Sequence, residues 1–425
     1  LKNLGIQIKC SLNDSQLNDL KFMVSTSSVL VDGVMGTGLS RSIQGDMLPI
    51  FKLIRETNNQ NLYRISVDIP SGLNSDTGEA DELSIKSDLT LTLGYPKLGL
   101  YLNKGSTLTD KVEILDIGIP KNIIPKSKIN LTTTSWAKSV IPNRPKNAHK
   151  GTFGKTFIIG GSKFYTGAPY LSAMAAARSG VGLVTLGVTR NVQKSVSSLT
   201  PIPTYLPLSD FSNAKTRLND IKMILEKIIQ YRSILIGPGF GMDLETQSFL
   251  QELLEKKQEL PPAILDADAI NMLNKNNKEV WWSNLPPETI LTPHLAEFSR
   301  LTNLSIDKIN SDKINIASNI ASESKTFIIL KGANTIVATP TGTIFISPFA
   351  NPSLATAGTG DVLAGIIAGL LAQGLSPESA SILAVFVHGQ AGKYVNCQFG
   401  DQGALASDLL EYIPKSIKHI SNQNS

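Results

Sequence analysis

Residues 155–189 read KTFIIGGSKFYTGAPYLSAMAAARSGVGLVTLGVT. A short apolar run rich in β-branched residues (KTFII) gives way to glycines, then to a helix-forming segment (APYLSAMAAARSG), then to a second apolar run (GLVTLGV). Strand, glycine turn, helix and strand in that order describe a βαβ unit, whose two strands run parallel. The alternation continues toward the C-terminus in SILIGPGFG, PAILDADAI, TILTPH, KTFIILKG and TIVATPTGTIFIS, with helices expected over 219–230 and in DVLAGIIAGLLAQG. Toward the N-terminus it recurs in SSVLVDGVMG, RISVDIPSG, SDLTLTLG and VEILDIGIP. Between 121 and 145 the pattern lapses into KNIIPKSKINLTTTSWAKSVIPNRP, which reads as a linker followed by an entry helix. The expected fold is therefore α/β in two domains, 1–125 and a larger 141–420, joined by a linker over 126–140. Residues 200–210 carry three prolines and are expected to form an irregular loop.

The chain has 425 residues, 41% of them hydrophobic and 18% charged, enough for two or three domains with full cores. A formal charge of +5, spread without a basic stripe, argues against a nucleic-acid partner and leaves anionic small molecules as ligands. No apolar run approaches the ~20 residues of a membrane span, and no signal-peptide layout opens the chain. Two distant cysteines, Cys10 and Cys397, suit a reducing compartment better than a disulfide framework, so a cytoplasmic protein is expected. The first residue is Leu1, which leads us to expect that the natural beginning is lacking.

The chemistry concentrates where Ala357-Gly358-Thr359-Gly360-Asp361 meets an apolar helix. Glycines allow a tight turn with inward N–H groups, and a helix start adds its dipole, so the point attracts an anion. A carboxylate in that first turn could accept a proton from a hydroxyl attacking a bound phosphoryl group. For GTGD alone, simple helix capping by Asp361 weighs equally. Three further glycine turns after strands, GGSKFYTGA, GPGFG and LKGANT, tip the reading toward a phosphate-bearing ligand lying across the carboxyl ends of a parallel sheet. Asp266 and Asp268 in LDADAIN fit strand-end caps and a role near magnesium equally well. His149 and Lys150 stay unassigned, and His388, inside an apolar helical stretch, is read as core. In the first domain VDGVMGTGLSR and SVDIPSGLNSDTGEA each place an acid at a strand end beside a glycine turn, with capping as the plain alternative for Asp32 and a self-bonded turn acid for Asp68.

Taken in order, NAHKGTFGK, IIGGS, GPGFG, LDADAIN, LTPHLAE, LKGANT and AGTGD resemble the ribokinase-like NAD(P)H-hydrate dehydratase family over roughly residues 135–415. The resemblance implies a ribokinase-like α/β domain that uses ADP or ATP with Mg2+ to dehydrate the S-form of hydrated NADH or NADPH. By position it implies Asp361 as general base and Gly358, Thr359 and Gly360 as an anion hole. It places the adenine nucleotide at Lys331, Gly332, Ala333, Asn334, Thr335 and Gly360, and the hydrate at Ala168, Gly241, His294 and Asp361. VDGVMGTGLSR, DIPSG, YPKLGLY and VEILDIGIP resemble the Rossmann-like NAD(P)H-hydrate epimerase domain. That likeness implies K+ ligands at Asp32 and Ser71, a pyrophosphate-facing loop of Gly36, Thr37, Gly38, Leu39, Ser40, Arg41 and Ser42, and an acid/base role for Asp68. The family's Asn- and Gly-rich loop lies further upstream than residues 1–30 reach, so a partial epimerase domain with poor epimerase activity is expected. The implied whole is a homo-oligomeric bifunctional repair enzyme. A ribokinase-like vitamin or sugar kinase shares GTGD but not the fused first domain, and a non-catalytic nucleotide binder has no need of Asp361.

Overall fold

A computed structural model describes residues 2–9, 16–38, 42–120, 127–274 and 280–422. The chain divides into two units, Leu1–Lys126 and Ser127–Ser425.

In the first unit β1 (Val29–Asp32), β2 (Tyr63–Val67), β3 (Ser87–Leu93) and β4 (Thr109–Leu115) form a parallel sheet in that order. The helices α1 (Asn18–Thr26) and α2 (Met47–Glu56) flank β1 in sequence, and α3 (Gly105–Leu108) precedes β4. Val24 of α1, Phe51 and Ile54 of α2, and Ile85 form one buried cluster. Both acids at strand ends in this unit are placed by these short strands, Asp32 as the last residue of β1 and Asp68 as the first after β2.

The second unit holds a ten-stranded sheet. Its strands are β5 (Ile129–Leu131), β6 (Lys155–Ile159), β7 (Leu183–Thr189), β8 (Thr204–Leu208), β9 (Ser233–Ile236), β10 (Ala263–Leu265), β11 (Ile290–Leu291), β12 (Phe327–Leu330), β13 (Ile336–Ala338) and β14 (Ile344–Ile346). They lie in the order β5-β14-β13-β12-β11-β10-β9-β6-β7-β8. All neighbours are parallel except β12–β13 and β13–β14, which are antiparallel. The quoted stretch folds as read: β6 and β7 pair in parallel register, Lys155 opposite Leu183, with α5 between them.

The helices are α4 (Thr134–Val140), α5 (Gly167–Ser179), α6 (Arg190–Leu199), α7 (Ala214–Ile228), α8 (Leu244–Leu254), α9 (Asp268–Leu273), α10 (Leu295–Thr302), α11 (Ile306–Ser311), α12 (Lys313–Ser324), α13 (Thr359–Ala372), α14 (Pro377–Phe399) and α15 (Ala406–Asn422). Ile158 faces the cluster shared by α5, α13, α14 and α15, while Phe157 and Ile159 face the cluster built on α7, α8 and α9. That alternation follows from the two-residue period of a strand, and it makes the unit three layers, helices on both faces of the sheet. At the centre α13 lies against α5 at Gly365 and Gly369. A Cβ on Gly365 would fall 2.3 Å from the carbonyl oxygen of Ser172, and one on Gly369 would fall 2.0 Å from Ser179 Oγ.

Two expectations fail here. The entry helix expected here forms as α4, but the residues before it are no linker: β5 pairs with β14 at the sheet edge, and Ala137 of α4 is fully buried in the main core. The proline-bearing loop expected over 200–210 contains β8, at the other edge of the sheet. An edge strand needs only one row of backbone hydrogen bonds, so Pro207 is tolerated there.

Candidate active site

The second unit's sheet brings the candidate residues together. Lys331 follows β12, His294 follows β11, Asp266 follows β10 and Gly241 lies beyond β9, while Ala168 lies in the first turn of the helix that follows β6. These are consecutive strands of the sheet, all parallel, so the residues line up along its carboxyl edge. The start of α13 brings in Gly358 to Asp361.

Gly358 is the residue before α13 and sits at φ 92°, the left-handed region that suits glycine. The N–H of Thr359 donates to Thr356 O at 3.3 Å, but the N–H groups of Gly360 and Asp361 find no partner among the described residues. The donors left for an anion are thus those of Gly360 and Asp361 rather than Thr359. Across the gap stands Lys331: a Cβ on Gly360 would lie 3.2 Å from its Nζ. The Lys331 ammonium, 19% exposed, is held by Asp266 Oδ1 at 3.0 Å, with Glu297 Oε2 at 3.9 Å. Burial works against that charge, while Asp266, Glu297 and Asp361 favour it, and the net is a pKa raised above that of an ordinary lysine.

Asp361 is pushed up to about 7, first by burial and then by the Asp266 carboxylate, against which the Lys331 charge acts. A carboxyl group ionising near neutrality, beside free N–H groups and an ammonium, has the properties of a general base at a phosphoryl site.

His294 begins α10 and caps it. Its Nδ1 accepts from the N–H groups of Ala296 (3.1 Å) and Glu297 (3.3 Å), and Glu297 Oε2 accepts from the His294 N–H at 2.8 Å. Nδ1 is therefore the unprotonated nitrogen of the neutral ring, and Nε2 lies 3.3 Å from Glu297 Oε1. Burial, then the charges of Lys331 and Arg300, lower its pKa, so the ring is neutral at neutral pH. Gly241 is anchored through its N–H to Asp268 Oδ2 at 2.8 Å. Of the two LDADAIN acids, Asp266 holds Lys331 and Thr292, the latter by a 2.6 Å hydroxyl bond, and Asp268 holds the Gly241 loop. In Lys331–Thr335, Thr335 Oγ1 bridges back to Gly332 and Asn334 Nδ2 donates to Ser347 O at 2.9 Å, fixing the hairpin loop.

In the first unit Asp32, 2% exposed, accepts from Ser71 Oγ at 2.5 Å and from Ser71 N at 2.8 Å, so the two oxygens expected at K+ lie together. Asp68 has φ 72°, and its Oδ1 accepts from Leu93 N at 3.0 Å and pairs with Lys97 Nζ. Of the expected pyrophosphate loop, Gly36, Thr37, Gly38 and Ser42 are described, while Leu39, Ser40 and Arg41 lie outside the described residues. Lys97 and Glu297 went unassigned in the sequence although both sit inside quoted motifs, YPKLGLY and LTPHLAE. Among the described residues no group of three or more His, Cys, Asp or Glu side chains is placed to hold a metal ion.

Residues 156–415, the region that supplies every residue of this carboxyl-edge cluster, match the NAD(P)H-hydrate dehydratase family. The chain belongs to that family. Residues 1–99 match the YjeF-related protein N-terminus. The chain is 35% identical to the bifunctional NAD(P)H-hydrate repair enzyme Nnr of Moorella thermoacetica, over 99% of this chain and 79% of that one. It is 36% identical to the Nnr enzyme of Dictyoglomus turgidum, with the same coverage. Among solved structures, the ADP/ATP-dependent NAD(P)H-hydrate dehydratase of Bacillus subtilis, co-crystallised with ATP and Mg2+, superposes with a TM-score of 0.59 at 29% identity, covering 68% of this chain and 98% of that one. A ribokinase-like superfamily protein of Enterococcus faecalis superposes with a TM-score of 0.61 at 27% identity, covering 71% of this chain and 99% of that one. The hydrate-dehydratase unit is thus ribokinase-like in fold, and no helix among the described residues of this family member is long and apolar enough to cross a membrane.

Proposed function

We propose that this chain repairs NADH and NADPH whose nicotinamide ring has taken up water, dehydrating the S-form at the expense of ADP or ATP. The observation that carries the reading is Asp361: a carboxyl group with a pKa of about 7, beside unpartnered N–H groups and Lys331. Ala168, Gly241 and His294 seat the hydrate, and Lys331 to Thr335 with Gly360 seat the nucleotide. The hydrate's hydroxyl oxygen forms a bond to the terminal phosphorus, and the bond from that phosphorus to the nucleotide breaks with its electron pair, leaving AMP if ADP is the donor. The hydroxyl proton passes to Asp361. Hydroxide is a poor leaving group and phosphate a good one, so the ring C–O bond then breaks, a neighbouring ring proton is lost and the dihydronicotinamide is restored.

Within the turn Gly358 to Gly360 expected as the anion hole, the Gly360 N–H, with that of Asp361 and with Lys331, stabilises charge on the transferring phosphoryl group. Mg2+ would supply further charge neutralisation at the nucleotide's phosphates when bound with it. In the first unit Asp68, held by Lys97, is the acid/base residue at the hydrated ring for interconversion of the R and S hydrates. Asp32 and Ser71 offer oxygen donors that suit K+, and Gly36 to Ser42 face the pyrophosphate. The reading extends to a cytoplasmic homo-oligomer, checked by cell fractionation and light scattering.

The test mixes the chain with hydrated NADH, Mg2+ and ADP or ATP and follows dihydronicotinamide absorbance. The reading expects that absorbance to grow, and expects Asp361→Asn to slow it ~10²–10⁴-fold with nucleotide binding kept. Accumulation of a phosphorylated product without absorbance would make the chain a kinase, and near-normal turnover by Asp361→Asn would reduce that residue to a helix cap.

A further inference from the structure

The helix α9 holds more than the Gly241 loop. Asp268 in its first turn accepts from the Gly241 N–H, and Asn271, three residues on and so on the same face, reaches Arg300 of α10. Asn271 Oδ1 accepts from Arg300 Nε at 3.0 Å and from Nη2 at 2.9 Å. Just past the end of α9, Asn274 Nδ2 donates to the Arg300 carbonyl at 2.7 Å. Met242, which follows Gly241, lines with Asn271, Asn274 and Arg300 a cavity of about 470 Å³, a size that suits part of a ligand. One end of the cavity is therefore the Gly241 turn of the hydrate seat, and its charged wall is Arg300.

The guanidinium is oriented there without being neutralised. Among the described residues Arg300 makes no ion pair, and the group that grips it is a neutral amide. Because a guanidinium only donates, Asn271 must turn Oδ1 toward it, which turns the Asn271 NH2 group away, with no partner among the described residues. A fixed cation with spare N–H groups beside a spare amide offers an anion both charge and donors, and the planar fork suits phosphate oxygens. The plain alternative is a cation in the last turn of α10 that complements the helix dipole. That role asks for no partner from a neighbouring helix, whereas the two bonds to Asn271 hold the fork in one plane.

Distance selects the anion. His294, linked through Glu297 to Lys331, stands at the reacting end of the hydrate and caps α10. Arg300 lies six residues further along, ~9 Å down the axis at the helical rise. One ribose separates a nicotinamide ring from the pyrophosphate, while the 2′-phosphate of an NADPH hydrate lies beyond the second ribose. We propose that Arg300, oriented by Asn271, binds the pyrophosphate of the hydrated dinucleotide, so that the second unit selects dinucleotide hydrates over hydrated nicotinamide fragments. The inference rests on the reading of the hydrate seat given above.

The test is dehydration kinetics on the full chain with saturating ADP or ATP and Mg2+, using the S-hydrates of NADH, NADPH and reduced nicotinamide riboside, which has no phosphate. Arg300→Met is expected to lower kcat/KM about tenfold or more for both dinucleotide hydrates, mainly through KM, as a charge-assisted bond is lost. The kcat/KM for the riboside hydrate and the KM for the nucleotide should stay near the parent values. Asn271→Asp, which sets a carboxylate against the guanidinium, should lower kcat/KM for the same two hydrates. A loss confined to NADPH hydrate would move Arg300 to the 2′-phosphate and overturn the assignment. No loss, or equal losses for dinucleotide and riboside hydrates, would overturn it too. An active Asp361→Asn, run alongside, would instead sink the site reading. Should Arg300→Met not fold, the parent decides: equal kcat/KM for the NADH and riboside hydrates overturns the proposal, and a clear preference for the dinucleotide supports it.

Discussion

Asp361 is worth following at neutral pH because its carboxyl group ionises there, lifted to about 7 by burial and by the neighbouring carboxylates. A general base must be ionised to accept a proton, so kcat/KM should rise through pH 7 and level off above it, dropping roughly tenfold per pH unit on the acid side. A pH profile flat from 5 to 8 would remove Asp361 from the chemistry. The same shift has a stability consequence of opposite sense. Between the unfolded value, near 4, and 7 the folded state binds more protons than the unfolded one, so this group makes stability fall as pH rises through that window. Asp361→Asn, which needs no ionisation, is therefore expected to melt at a higher temperature than the parent at pH 8 by roughly 1–3 kcal/mol of stability, and to show no such gain at pH 4. Calorimetry at the two pH values checks this. In the first unit Asp68→Asn removes a carboxylate held by Lys97 and Leu93 N–H, both residues of that unit. It should remove whatever interconversion of R and S hydrates the parent's partial first unit retains while S-hydrate dehydration proceeds unchanged, which separate assays on the pure epimers measure.

At the level of elements, the turn that opens α13 carries the site. Gly360→Val would set side-chain carbons against the Lys331 ammonium, whose Nζ already lies 3.2 Å from the Cβ position, and would crowd the free N–H groups. Nucleotide binding should weaken at least tenfold by calorimetric titration, and binding as tight as the parent's would remove Gly360 from the nucleotide site. The strand–turn–helix order of β6, α5 and β7 was legible because each piece is bounded by glycine and long enough to show its period. The place of Asp361 in the first turn of an apolar helix after a glycine turn was legible too, and α13 starts there. Lys97 and Glu297 were not, because their meaning lies in partners distant in sequence: Lys97 matters through Asp68 and Glu297 through Lys331. His388 read as core, and it is buried. β8 was missed because prolines signal loops, and only the finished sheet shows that the segment runs along an edge.

Over the whole molecule, the division falls at Lys126 and Ser127, so the segment that looked like a connection is structural for the second unit. β5 contributes only Ile129–Leu131, too short a run to announce itself, yet it pairs with β14 through Ile129–Ile344, Asn130–Phe345 and Leu131–Ile346. Behind it Thr133 caps α4 through Trp136 N at 3.2 Å, Ala137 is fully buried against the main cluster, and Trp136 lies 6.3 Å from Phe345. A chain cut at 141 would expose the edge of β14 and the apolar surface that α4 covers, and an exposed sheet edge beside apolar surface invites association. A chain beginning at 127 keeps the strand, the helix and every residue of the second unit's site. The 127–425 fragment should therefore fold, convert S-hydrate to NADH with ADP or ATP at close to the parent rate, and leave R-hydrate unconverted. The 141–425 fragment should melt several degrees lower or aggregate, a loss of several kcal/mol being typical when a packed edge strand and a buried helix face are removed together. Thermal melts and light scattering on the two fragments decide the boundary: equal melting temperatures would return residues 127–140 to the role of a linker.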